Sequence, residues 1–447
     1  MPELFTLVTI GQALDRLLPL IEPLARGERV AALDALGRTT AEALRAPVDL
    51  PAFARSAMDG FAVRAADTYG ASEGLPAYLA LAGEVPMGRP ADVTVGPGEA
   101  ARVHTGGMLP HGCDAVVMVE HTQQLDARLL EVLRPVAPGE HVIPLGDDVR
   151  VGAPLFPAGH VLRPQDLGAL VAVGIVEAPV VARPRLAIVA TGDEVVSPER
   201  TPAPGQVRDI NSTTIAALAR QHGADPLPCG IAPDDYAALR RIAGDALAGA
   251  DALVISAGSS VSARDITARV IADLGAPGVL VHGVAMHPGK PTILAVAGGK
   301  PVFGLPGNPV STMIAFERFV APALRRMLGQ TADGGPQTAD SSPLNIGERS
   351  EHGGQRSAVS GRERSELSAV SSRRLVQARL AQNVASHSGS DDFVPVRLLR
   401  RGGALWAEPV LGKSNLISTL AHADGMLHVP LDSSGLYAGD LVEVELF

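Results

Sequence analysis

Residues 283–317 read GVAMHPGKPTILAVAGGKPVFGLPGNPVSTMIAFE and set two Gly/Pro loops between apolar runs. The loops are Pro288-Gly289-Lys290-Pro291 and Leu305-Pro306-Gly307-Asn308-Pro309. Apolar runs 292–297 and 301–305 predict strands, and a helical segment at 313–328 is entered through Ser311 and Thr312. Proline fixes the loop backbone and removes donors, while glycine lets it approach a ligand closely. Lys290 adds a cation, and free N–H groups at a helix start suit an anion. Alone, the stretch would read as a pair of structural turns. The segment ahead of it gives it another meaning.

From residue 185 the chain alternates strand and helix. Runs 186–190, 227–231, 252–256 and 279–285 predict strands; 211–222, 234–247 and 266–274 predict helices, the first capped by Asn211 and Ser212. That rhythm specifies a doubly wound, mostly parallel sheet covered on both faces. Ligands bind such sheets beyond the carboxyl ends of the strands. Three loops fall there, rich in small and hydroxyl residues: Thr191-Gly192-Asp193-Glu194, Ser256-Ala257-Gly258-Ser259-Ser260, and 305–311 with Pro306, Pro309 and Ser311. None is a Walker loop or a GxGxxG, so neither a P-loop nucleotidase nor a dinucleotide enzyme is supported. Asp193, Glu194, Asp234 and Asp265 lie beside these cradles. Carboxylates next to phosphate oxygens repel them unless a hard cation such as Mg²⁺ lies between. Each aspartate taken singly would serve equally as a cap or turn residue. Their convergence on one sheet edge points to metal-assisted phosphoryl chemistry.

The remainder divides into further units. Residues 1–50 read as helix and connection, with Thr9 capping 10–18 and a second apolar-periodic stretch at 30–44; with 143–184, where Pro164 opens a helix, they predict one discontinuous helical and extended domain. Residues 51–142 have the short, broken apolar runs of a β-rich insertion. The α/β unit spans 185–330, a flexible linker 331–374, and a small β domain 375–447. The linker contains a Ser/Arg/Glu/Gly-dominated stretch expected to be disordered.

At 447 residues the chain holds roughly three or four domains. Its net charge of −10 argues against a nucleic-acid partner, which needs a basic face. Cys113 and Cys229 form no CxxC, so neither a zinc site nor a disulfide framework is indicated. The N-terminus lacks the pattern of a secretory signal, and the longest apolar stretch is broken by charges and prolines; a cytoplasmic protein without a membrane span is expected.

Seven ordered segments carry a resemblance: SAMDGFAV (56–63), HTGGMLPHGCDAVVMVE (104–120), GDDVRVGAPLFPAG (146–159), VATGDEVV (189–196), SAGSS followed by Arg264-Asp265, PGKPTILA (288–295) and GLPGNPVS (304–311). Together they resemble the molybdopterin molybdenumtransferase family, through residues 5–330 and more weakly 375–447. The resemblance implies an elongated four-domain homodimer. It also implies a reaction taking adenylylated molybdopterin and molybdate with Mg²⁺, which cleaves the pyrophosphate bond, releases AMP and leaves molybdenum on the dithiolene. Transient contact with other molybdenum cofactor biosynthesis proteins follows. Carried over by motif, the catalytic residues are Asp59, Thr105, Asp148, Glu194, Asp234 (or Asp235) and Asp265, with Asp193, Glu194 and Asp265 toward the metal. Thr191, Gly192, Ser256, Gly258, Ser259, His287, Lys290, Pro306, Pro309 and Ser311 line the substrate. Many members carry glycine where Ala257 stands and lysines where Gly283 and His287 stand, which leaves tungstate open as the oxyanion. Two other readings share the same fold: a pterin adenylyltransferase, against which the roughly 180 residues ahead of the α/β unit count, and a non-catalytic pterin scaffold, against which Glu194 and Asp265 count.

Overall fold

The computed structural model describes residues 7–257, 261–330, 375–386, 389–410, 412 and 416–447. Gly258, Ser259 and the linker expected at 331–374 lie outside the described residues.

The α/β unit runs β1 (Arg185–Thr191), α1 (Asn211–Gln221), β2 (Asp225–Ala232), α2 (Tyr236–Gly249), β3 (Ala252–Ser256), α3 (Val261–Ala272), β4 (Pro277–His282), β5 (Ile293–Ala297) and β6 (Lys300–Leu305). The strand order is β2-β1-β3-β6-β5-β4; only β5 runs against its neighbours. Side chains alternate between faces along each strand. Leu186 and Ile188 therefore join Ile215 and Leu218 of α1, while Ala187 and Val189 join Leu239 and Ala243 of α2. The chain leaves β1 toward β2 and returns past it to β3, so the crossovers reverse between β1 and β3. That reversal opens a crevice at their carboxyl ends.

Several boundaries differ from the sequence expectation for local reasons. The strand expected at 279–285 stops at His282, because Gly283 turns the chain with φ 99°. Met286–His287 then pairs in parallel with Asp391–Asp392 of the C-terminal sheet. The helix expected at 313–328 begins at Pro309 and is interrupted by a π turn, Phe316–Val320, before Ala321–Met327. Pro322 lies in the first turn of that last piece, where its missing N–H and ring are tolerated.

Residues 60–132 form a six-stranded sheet ordered Ala115–Met118, Gly60–Val63, Glu99–Val103, Ala77–Glu84, Leu129–Val132, Thr122–Gln124. Gly27–Ala31 pairs with Glu177–Val181, and Leu44–Arg45 with Pro154–Phe156, so early and later segments lie side by side. The apolar-periodic stretch 30–44 is part strand, part 3-10 turn (Ala32–Ala35) and connection. Helix Ile10–Leu17, with the expected Thr9 cap closed by Gln12, departs from the grouping of 1–50. It buries Ile10, Leu14 and Leu17 in the same core as Leu294 and Phe303 of the α/β sheet. At the C-terminus, Asp391–Arg401, Ala404–Pro409, Leu375–Leu380, Leu441–Leu446 and Gly425–Val429 pair in that order, and the last returns to the first, closing a small barrel. No helix among the described residues is long and apolar enough to cross a membrane.

Candidate active site

The loop after β1 is built around Thr191, whose buried hydroxyl donates to Asp234 Oδ1 at 2.9 Å. The Asp234 N–H in turn donates to Asp193 Oδ1 at 3.2 Å. Asp235 is spent differently: its carboxylate accepts from the Ala238 N–H and caps α2. Of the two adjacent acids left open by the sequence, Asp234 is therefore the one that meets Thr191. Gly192, at φ 145°, disfavours a side chain: the backbone is strained for one, and a Cβ would come within 2.8 Å of the Glu194 Oε2 and Val195 Cγ2 side-chain atoms, which would have to shift. Asp265 is exposed near the start of α3.

On the other side of the crevice, Asn211 joins two strand ends. Its Nδ2 donates to Ser256 Oγ at 2.9 Å and to the Gly307 carbonyl at 2.8 Å. A carbonyl only accepts, so the amide nitrogen must face Gly307. Asn211 Oδ1 is then left buried without a hydrogen-bond partner among the described residues. Sequence reading took Asn211 for a helix cap, but Asp209 takes that role by accepting the Ser212 N–H at 3.0 Å. The Pro306–Pro309 loop is braced by Thr312, whose hydroxyl donates to the Pro306 and Asn308 carbonyls. Ser311 is buried behind it.

The 283–292 loop joins β4 to β5 on this same edge. It closes through Val284 N–H to the Lys290 carbonyl at 2.9 Å and Thr292 Oγ1 to the Gly289 carbonyl at 2.7 Å. Lys290 is exposed. His287, counted among the substrate-lining residues, stands 76% exposed with Nδ1 3.6 Å from Asp392 Oδ1, so an acid already faces its ring.

A second constellation lies in the β-rich sheet. Both Asp59 oxygens are taken by Thr105, Oδ1 by its N–H at 3.1 Å and Oδ2 by its hydroxyl at 3.0 Å. Those bonds, the backbone one foremost, and the His104 ring hold the Asp59 carboxyl below its ordinary range. Gly60 follows because a Cβ there would come within 2.0 Å of the Val117 carbonyl oxygen. Asp148 is exposed, and its N–H donates to the Leu50 carbonyl at 3.0 Å. Among the described residues no hydrogen bond or ion pair joins Asp59 or Thr105 to the α/β edge within one chain. Burial, then Asp114, pushes the Cys113 thiol up to about 12, which disfavours the reactive thiolate.

Among the described residues no three His, Cys, Asp or Glu side chains converge closely enough to cage a metal. Mg²⁺ asks for less, since it is commonly held by one or two carboxylates plus substrate phosphates. The hydrogen-bonded pair Asp193 and Asp234, with Glu194 beside Gly192, supplies hard oxygen donors of that kind.

Three family models match in tandem. The MoeA N-terminal region (domain I and II) covers residues 8–174, a probable molybdopterin binding domain 187–326, and the MoeA C-terminal region (domain IV) 377–447. A molybdopterin molybdenumtransferase of Bacillus subtilis is 30% identical over 94% of this chain and 89% of its own length. The chain belongs to the MoeA family. A second relative, the molybdopterin molybdenumtransferase of Nostoc sp., is 38% identical over 66% of this chain and 67% of its own. The MoeA architecture is shared as well: a crystal structure of the molybdopterin biosynthesis MoeA protein from Pyrococcus horikoshii OT3 superposes with a TM-score of 0.79 at 29% identity, covering 99% of this chain and all of that one. In this MoeA chain, the crevice of Thr191, Asp234, Asn211 and Ser256 falls wholly within the span of the probable molybdopterin binding domain.

Proposed function

We propose that this protein is a molybdopterin molybdenumtransferase, which takes adenylylated molybdopterin and molybdate and releases AMP and the molybdenum-loaded pterin. The observation that carries this reading is the length of the polar edge. Carboxylate, hydroxyl and cationic groups run from Asp234 after β2, past Thr191, Ser256 and Gly307, to the Lys290 loop after β4. Six strands at a spacing of about 4.8 Å make that edge roughly 24 Å long, which suits an elongated pterin–pyrophosphate–adenosine ligand better than a mononucleotide.

Within this reading the small, glycine-lined loops bring backbone close to the pyrophosphate. Asn211 braces the Ser256 and Gly307 ends so that the crevice keeps its width. Lys290 supplies positive charge at the far end, where an oxyanion would approach. Asp193, Glu194 and Asp265, with Asp234 hydrogen-bonded to Asp193, would hold Mg²⁺, which would neutralise the pyrophosphate charge. Asp59 and Thr105 belong to a distant sheet, and a homodimer that sets this sheet of one subunit against the α/β edge of the other would complete the cleft. We place the protein in the cytoplasm, with transient contact to other proteins of molybdenum cofactor biosynthesis.

The test is AMP release from adenylylated molybdopterin with molybdate and Mg²⁺, set beside incubation with ATP and free molybdopterin. AMP release with molybdenum recovered on the pterin supports the transferase. Formation of adenylylated pterin from ATP would replace it with an adenylyltransferase, and tight pterin binding without AMP would leave a scaffold.

A further inference from the structure

His104 has no place in the reading above, yet three adjacent strands place it between two acids. Gly60–Val63 pairs with Glu99–Val103 so that Gly60 lies opposite Val103, and Ala77–Glu84 pairs on the other side so that Glu84 lies opposite Arg102. Asp59 just before the first strand, His104 just after the second and Glu84 ending the third therefore meet at one end of the sheet. His104 Nε2 is 2.9 Å from Glu84 Oε1, and Nδ1 is 3.5 Å from Asp59 Oδ1. The loop cannot readily shift, because Gly107 N–H donates back to the His104 carbonyl and Gly106 N–H to the Ser56 carbonyl, both at 2.8 Å.

We propose that His104 is a positioning residue for Asp59, its ring held from behind by Glu84 and fixing the Asp59 carboxylate against Thr105. This rests on the reading that Asp59 belongs to the active site. Carboxylate oxygens only accept, so the ring serves both acids at once only with a proton on each nitrogen. The neutral ring donates from one nitrogen and turns a lone pair toward the other acid. The charged groups facing the ring are Asp59 and Glu84, with Arg102 adding positive charge near Glu84. Glu84 is held below its ordinary range chiefly by His104, consistent with a charged contact. All three side chains are partly exposed, at 35% for His104, 64% for Asp59 and 52% for Glu84. Ion pairs that exposed add little to stability, so the effect falls on the geometry of Asp59.

The test uses the full chain with adenylylated molybdopterin and molybdate, following AMP release from about pH 5 to about pH 8, where histidine changes charge. His104→Ala should lower kcat about tenfold with KM nearly unchanged, remove a decline of turnover on the alkaline side, and leave the melting temperature as it was. His104→Gln, which keeps one donor, should recover part of the loss. Glu84→Gln should lower kcat in the same sense as His104→Ala, and should add nothing once His104 is alanine. Wild-type kcat and pH profile in both His104→Ala and Glu84→Gln, with Asp59→Asn inactive, would overturn the positioning role alone. Full turnover in Asp59→Asn would instead overturn the placement of Asp59 in the site. Should His104→Ala not fold, the Glu84→Gln kcat decides by itself.

Discussion

Replacing Asn211 by alanine separates a ligand-binding role from a bracing one. The amide makes two hydrogen bonds, to Ser256 Oγ and the Gly307 carbonyl, and leaves a buried oxygen without a partner. Each hydrogen bond contributes about 0.5–1.5 kcal/mol net, so their loss costs roughly 2 kcal/mol. A buried acceptor with no partner costs about 1–3 kcal/mol, and alanine removes that cost. Alanine also strips the buried Ser256 Oγ of its donor, so the free protein should lose about 1–3 kcal/mol relative to wild type. With substrate the balance changes, because a ligand donor seated on Asn211 Oδ1 would lose its acceptor. That loss, about 1–3 kcal/mol, corresponds to a fall in kcat/KM of roughly five- to 150-fold. Urea unfolding of the ligand-free protein and AMP release from adenylylated molybdopterin give the two numbers. A destabilisation above about 3 kcal/mol, with turnover per folded molecule unchanged, would show that Asn211 only braces the crevice.

Three other outcomes are expected. Burial pushes the Asp166 carboxyl up, but Arg163 and His160 outweigh it and hold it at about 2 rather than the ordinary 3.8; a depressed acid stabilises above its unfolded pKa and loses that stabilisation as pH falls through the folded one, so Asp166→Asn should cost about 2.5 kcal/mol near neutrality, with the gap to wild type narrowing by about 1 kcal/mol by pH ~3 in urea unfolding. Asp265→Asn should lower AMP release at least about tenfold at unchanged melting temperature, and undiminished turnover would remove Asp265 from the site. With Asp392 already facing its ring, His287→Lys should leave the pH dependence of molybdate affinity as in wild type, measured by calorimetry; a flattened dependence would make His287 a direct cation for the oxyanion.

What the sequence made legible is what depends on neighbours along the chain. The 186–190 run, the Thr9 cap and Pro164 at a helix start all sit in the structure much as they read, because a strand's apolar run or a helix's first turn is decided within a few residues. The roles of particular polar side chains were decided farther away. Asn211 before an apolar-periodic run has the look of a cap, yet its amide is claimed by Ser256 and Gly307, 45 and 96 residues on. Nothing local distinguishes Asp234 from Asp235 until the chain direction lets only the second reach the Ala238 N–H. His287 belongs to a motif that points toward the substrate, and the acid facing it, Asp392, arrives from the C-terminal barrel, beyond the reach of local sequence.

The motif glycines show the same division in a different form. Their positions flagged loops, but the reasons for them are distances to backbone that only the fold supplies. Gly60 lies against the Val117 carbonyl of the next strand, and that contact seats Asp59 at the end of the sheet beside Thr105 and His104. Any side chain at position 60 would push the two strands apart and carry Asp59 away from both partners. A motif that reads as a turn thus fixes the reach of a carboxylate, and its chemistry is set by strand register: a slip of one residue would leave Asp59 opposite neither Thr105 nor His104.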